Sequence, residues 1–146
     1  MINKEQIKKL RDNAELAWAA YGYFDRLKYN YAQDEDSKKA LKEFREIKKD
    51  ENATITPADI LDITYKYHLD EDGKPKDGII FGFFADELFS GDMSPFQAKK
   101  FFERYDLLIH QPNTESGFSA TLFQNKESKE FTLAIISTES KCDGIK

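Results

Sequence analysis

The chain has little with which to do covalent or metal chemistry. Of 146 residues one is cysteine, Cys142, and two are histidines, His68 and His110. A single cysteine excludes an internal disulfide and suits a reducing compartment. No Cys/His cluster has zinc-ligand spacing. No G-x-S-x-G turn is present, so the usual device for exposing a serine nucleophile between a strand and a helix is missing. The 7 glycines form no phosphate-cradling loop, and no cofactor is expected. Basic charge is also short: 22 Lys and Arg against 27 Asp and Glu leave −5. That argues against a general nucleic-acid binder, whose basic face must replace phosphate counterions. No run approaches the roughly 18 apolar residues of a membrane span. The start, MINKEQIKKL, lacks the apolar core of a secretory signal. The expectation is a soluble, cytoplasmic chain, with a specialised export route left open.

What the sequence does have is aromatic and helical. Hydrophobic residues make up 40% and charged residues 34%, with 12 Phe and 7 Tyr, a globular composition with a Phe-dominated core. From Asn3 to about Leu27, Ile7, Leu10, Ala14, Ala17, Tyr21 and Phe24 recur at three- and four-residue steps. This predicts an amphipathic helix with that stripe toward the core, Asn3 as cap and Gln6 returning the hydrogen bond. A membrane-surface helix fits less well, because Glu5, Asp12 and Glu15 dilute the basic charge of the polar face. Residues 28–36 read as a loop, and 37–49 as a second helix with Ala40, Leu41, Phe44 and Ile47 on one face. Thr56-Pro57 opens a third helix carrying Ile60, Leu61, Ile63, Thr64 and Tyr67. His68 falls at its end, where an imidazole suits the helix dipole better than it suits catalysis. The acidic cluster 70–78 lacks the spacing of a calcium loop and reads as a plain turn. Residues 79–89, IIFGFFADELF, fit a strand or a buried helix, leaning helical at 85–88. Ser94-Pro95-Phe96-Gln97 carries a full helix start, followed by Phe101, Phe102 and Tyr105, with Leu108 and Ile109 beyond and Pro112 as the stop.

Residues 117–138, GFSATLFQNKESKEFTLAIIST, give the clearest pattern. Two strands, 118–123 and 131–136, flank the polar turn 124–129, a hairpin signal. In the second strand Phe131, Leu133 and Ile135 point one way, while Ala134 and Ile136 on the other face are apolar too. Such a strand is expected at the centre of a sheet, covered on both sides. The predicted class is therefore mainly α with a C-terminal β-hairpin (α+β). Its parts are a helical region 1–112, a hairpin 113–139 and a tail 140–146, in a single compact unit.

GFSATLF, a polar turn, FTLAI and then Thr138-Glu139 together resemble the hairpin that opens the sheet of class 3 lipases and related phospholipases. The resemblance implies the front portion of an α/β-hydrolase, truncated after that hairpin. It implies acyl-ester hydrolysis by the whole enzyme. It also implies a role for Thr138 at the oxyanion turn, where one donor is worth about 10²–10³ in rate. Ile136 and Ser137 stand where the family has Arg and Gly. The family places its nucleophile, acid and histidine after this hairpin, so no catalytic residue is expected here beyond Thr138, and the chain alone is expected to be inactive. Ser119, in the nearest serine motif, reads as an ordinary strand residue, and Cys142 as a tail cysteine. The other reading is a protein- or lipid-binding module with a Phe-rich surface over residues 79–102 and an open strand edge. Its partners would be a second copy, the remainder of a hydrolase or a lipid surface.

Overall fold

The computed structural model describes residues 3–68, 72 and 87–137, together with the backbone of 79–80 and 83–84. The chain divides into two compact units, one of Met1–Tyr21 with Arg104–Lys146 and one of Gly22–Glu103.

The Gly22–Glu103 unit is built from short capped helices. A 3₁₀ helix, Phe24–Asn30, replaces the expected end of the first helix, which stops at Ala19, and runs three residues into the stretch expected to be a loop. Helix α2, Glu35–Lys48, starts two residues earlier than its composition suggested. Asp34 caps it: its carboxylate accepts from the Ser37 N–H at 2.8 Å. Helix α3 is only Pro57–Leu61, opened by a capping box between Thr56 and Asp59. It stops because Asp62 turns to extended backbone and its carboxylate accepts from the Thr64 N–H, capping a separate 3₁₀ turn, Ile63–Tyr65. His68 is therefore not at the end of that helix. Its Nδ1 bonds the carboxylate of Glu43 on α2.

Two-residue strands β1, Ile79–Ile80, and β2, Phe83–Phe84, pair antiparallel, so this part of the ambiguous 79–89 segment is strand. The helical lean over 85–88 fails at Glu87, which bridges to Tyr67 in extended pairing. Helix α4, Pro95–Arg104, begins where the Ser94 hydroxyl accepts from the Gln97 N–H. Inside the unit Phe44 is fully buried, with ring centroids 5.0 Å from Tyr65 and 5.8 Å from Phe89. Gly91 allows the closest backbone approach. An added Cβ would sit 2.2 Å from the Leu61 carbonyl carbon, where Met93 N–H bonds the Leu61 oxygen at 2.9 Å. In the part of the Phe-rich segment whose side chains are described, residues 87–102, Phe89 and Phe101 are completely buried and Phe96 is exposed; the side chains of 79–86 lie outside the described residues.

The other unit holds helix α1, Lys4–Ala19, and an antiparallel sheet of order β3-β4-β5, formed by Tyr105–Gln111, Phe118–Asn125 and Phe131–Ser137. Tyr105, Leu108 and Ile109, read as the continuation of a helix, lie in β3: α4 ends at Arg104 and the strand begins at the next residue. The apolar positions 105, 108 and 109 satisfy a helical period, but the pairing of β3 with β4 outweighs local preference. Asn3 and Gln6 form the expected capping box. The stripe on α1 is rotated relative to expectation: Ile7 and Leu10 are 52% and 62% exposed, while Leu16, Ala19 and Ala20 are buried. The cause is ionic. Arg104 reaches Asp12 at 2.9 Å and Glu15 at 3.7 Å, and residues 12, 15, 16 and 19 share one face. The described fold is thus a mixed α+β one.

Two outcomes follow from this packing. Phe44→Ala is expected to lower stability by about 3–5 kcal/mol, and Phe96→Ala, at a 70% exposed site, by less than about 0.5 kcal/mol. Urea unfolding of both variants checks the contrast. The second concerns Asp12. Burial raises its pKa, but hydrogen bonds and charge from Arg104 and Lys8 outweigh this and hold the carboxyl below its ordinary value. A depressed pKa contributes stability above the unfolded value, lost as pH falls through the folded one. Asp12→Asn should therefore cost up to about 1 kcal/mol at neutral pH and nothing once the wild-type carboxyl is protonated in acid. A cost unchanged by acidification would assign Asp12 a packing role instead.

Candidate functional site

The residues singled out for hydrolysis do not converge. Ser119 lies on β4 and is buried, at 7% exposure. His110, on β3, has Nδ1 at 2.8 Å from the hydroxyl of Thr121, its cross-strand partner, and not on Ser119. His68 is bonded to Glu43 in the other unit. No serine, imidazole and carboxylate therefore form a hydrogen-bonded array among the described residues. Thr138 and Cys142 lie outside the described residues, as does most of the acidic cluster 70–78. Among the described residues no three His, Cys, Asp or Glu side chains gather as metal ligands, and no helix is long and apolar enough to cross a membrane.

An open cavity of about 640 Å³ follows α2. Lys38, Lys42, Arg45 and Lys49 line it together with Glu46, Asp50 and Glu51. Four cations and three carboxylates on one helix face and its C-terminal turn nearly cancel, and such a surface is a solvated one.

The surface that stands out is the sheet. Phe131, Leu133 and Ile135 are 64%, 58% and 58% exposed, whereas Thr132, Ala134 and Ile136 between them are half-buried. α1 lies against this strand. The strand expected at the centre of a sheet is thus at its edge, with one apolar face open. Register carries that face inward: Leu133 pairs with Leu122, which pairs with Ile109, itself 64% exposed, and Ile135 pairs with Ala120. Opposite-face residues of β4, Ser119, Thr121 and Phe123, are buried. The sheet therefore has one dry face and one wet face, and the wet face is mostly apolar.

Its two edges differ. In β3 the register breaks between Leu107 and Ile109, a bulge that bends and twists an edge away from further pairing. Asp106 sits on the same strand, with the Lys126 ammonium 3.7 Å away. Charge, bulge and the Pro112 that follows are the usual guards of an edge strand. β5, FTLAIIS, has none of them: no charged residue, no proline and no bulge interrupts its seven residues. Among the described residues no strand pairs with its outer side.

The turn 126–129 shapes this strand. Asn125 Oδ1 accepts from the N–H groups of Glu127 and Ser128, and Lys129 takes a left-handed φ of 65°. These local bonds fix the β4–β5 register and hence which residues face out. The hairpin and its turn were readable from sequence; the exposure of Phe131, Leu133 and Ile135 was not. The missed signal was the lack of charge along β5, which marks an unguarded edge.

Comparison with protein-family models, with curated proteins and with solved structures finds no match to the chain.

An assay separates a buried strand serine from a nucleophile. The full chain is expected to hydrolyse a p-nitrophenyl acyl ester no faster than its Ser119→Ala variant. Turnover that this substitution removes would restore Ser119 to a catalytic role.

Proposed function

We propose that the chain is a docking module that takes up an extended segment along the outer edge of β5. The observation that carries this reading is the contrast between the guarded β3 edge and the bare β5 edge. An added strand gains affinity from main-chain hydrogen bonds and specificity from alternate side chains. Here the alternate positions are set by Phe131, Leu133 and Ile135 on the wet face. A segment with apolar residues on that side would extend the aliphatic row and cover part of it, each favourable cross-strand pair contributing roughly 0.2–1 kcal/mol.

The likeness to class 3 lipases supports a second, narrower version. In it the chain is the front portion of a hydrolase, and the segment received by β5 is the next strand of that enzyme's sheet. The nucleophile, acid and histidine would come with the incoming part, since Ser119 is buried and His110 is engaged by Thr121. Thr138 would keep the oxyanion role the resemblance gives it.

A labelled extended peptide of alternating valine and threonine tests the wider reading. Fluorescence anisotropy at low chain concentration is expected to show saturable binding, weakened at least tenfold by Leu133→Lys together with Ile135→Lys. Absence of binding to a monomeric chain would contradict it.

A further inference from the structure

Resting on the docking reading, we infer that the segment β5 receives is β5 of a second copy of this chain, in an antiparallel pairing that closes a six-stranded sheet. The strand is its own complement. A two-fold axis at Ala134 sets Leu133 opposite Ile135 of the second copy, Thr132 opposite Ile136, and Phe131 opposite Ser137. Because the offsets are even, every wet-face residue meets a wet-face residue, and the half-buried set Thr132, Ala134 and Ile136 meets itself. Side-chain period two makes this matching of faces a strict requirement. Antiparallel self-pairing about a two-fold satisfies it without further adjustment.

Charge points the same way. Each chain carries −5, yet the seven residues of β5 carry no charge at all, so like charges do not meet along the paired strands. The neighbouring Lys129 and Glu130 are of opposite sign and lie beyond the paired register at both ends of the interface. Association of this kind is expected to strengthen with salt, because screening reduces repulsion between the two negative chains and leaves burial and backbone bonding intact.

The guarded edge explains why pairing stops at two. Head-to-tail docking of β5 onto β3 would repeat without end and build fibres, while a two-fold contact closes. The bulge between Leu107 and Ile109 and the Asp106–Lys126 pair make β3 a poor acceptor. With one bare and one guarded edge, the sheet grows by a single isologous step, and the aliphatic row Ile109–Leu122–Leu133 runs on through Ile135 of the second copy.

Sedimentation equilibrium of the full chain, read with two double variants, tests this. The wild type is expected at twice the chain mass of 16.9 kDa, with the dimer fraction rising with salt. Leu133→Lys with Ile135→Lys puts like charges opposite each other across the axis and is expected to give the monomer mass. Leu133→Lys with Ile135→Glu puts Lys opposite Glu and is expected to return the dimer. Circular dichroism of both variants confirms that they are folded. A wild type that stays monomeric as concentration rises, a dimer insensitive to the like-charge pair, or a failure of the opposite-charge pair to restore it would each overturn the inference. A monomeric wild type that still takes up the valine–threonine peptide would leave the docking reading intact, and one that takes up neither would end both.

Discussion

Along the outer side of a terminal strand, N–H and C=O groups must bond either to water or to another chain. That requirement governs what this molecule can do. Among the described residues of the unit that holds the sheet, three strands leave two such edges. The chain deals with one of them locally, through a bulge and a charged residue on β3, and leaves the other uninterrupted. The same strand exposes Phe131, Leu133 and Ile135 on the wet face. Backbone bonding capacity and apolar surface are thereby presented together over seven residues, which is the chemistry a paired strand requires.

The placement of α1 belongs to the same economy of ions. Arg104, the last residue of α4, holds Asp12 and Glu15 and lies over the Tyr105 ring at 5.1 Å. Its carbonyl accepts from Lys126 N–H at 2.8 Å. One residue thus joins the helix, the start of β3 and the β4–β5 turn. Ile7 and Leu10 on α1, and Tyr21, the residue after its cap, are exposed, so the sheet unit shows a second apolar stripe in addition to the sheet face. In the Gly22–Glu103 unit Phe24, Phe44, Phe89 and Phe101 are buried, while Tyr31, Ile63 and Phe96 are exposed.

Local chemistry was legible in the sequence and long-range chemistry was not. The caps at Asn3, Thr56 and Ser94 were readable because each bond spans three residues. The hairpin was readable because its turn residues are unlike its strands. β3 was missed because Leu108 and Ile109 fit a helical period, and only the pairing with β4 decides otherwise. The position of β5 was missed because apolar residues on both faces are equally the mark of a central strand and of an edge strand awaiting a neighbour. The orientation of α1 was missed because helical periodicity allows both the Ile7–Leu10 stripe and the face of Leu16 and Ala19, and only tertiary packing chooses between them. Of the candidate site, the open edge was anticipated; of the expected Phe-rich surface, Phe89 and Phe101 are buried and Phe96 is exposed. The serine and histidine positions could be named from sequence, and only coordinates show that Thr121, rather than Ser119, meets His110.

Amide hydrogen exchange along β5, followed residue by residue by NMR in a dilute solution of the chain, reaches the central claim most directly. A bare edge predicts alternation: amides facing β4 slow, and those facing outward exchanging at rates near those of a loop, until a paired strand slows them as well. Uniform protection of both sets in a dilute monomer would mean that the edge is already covered, and the account would fail.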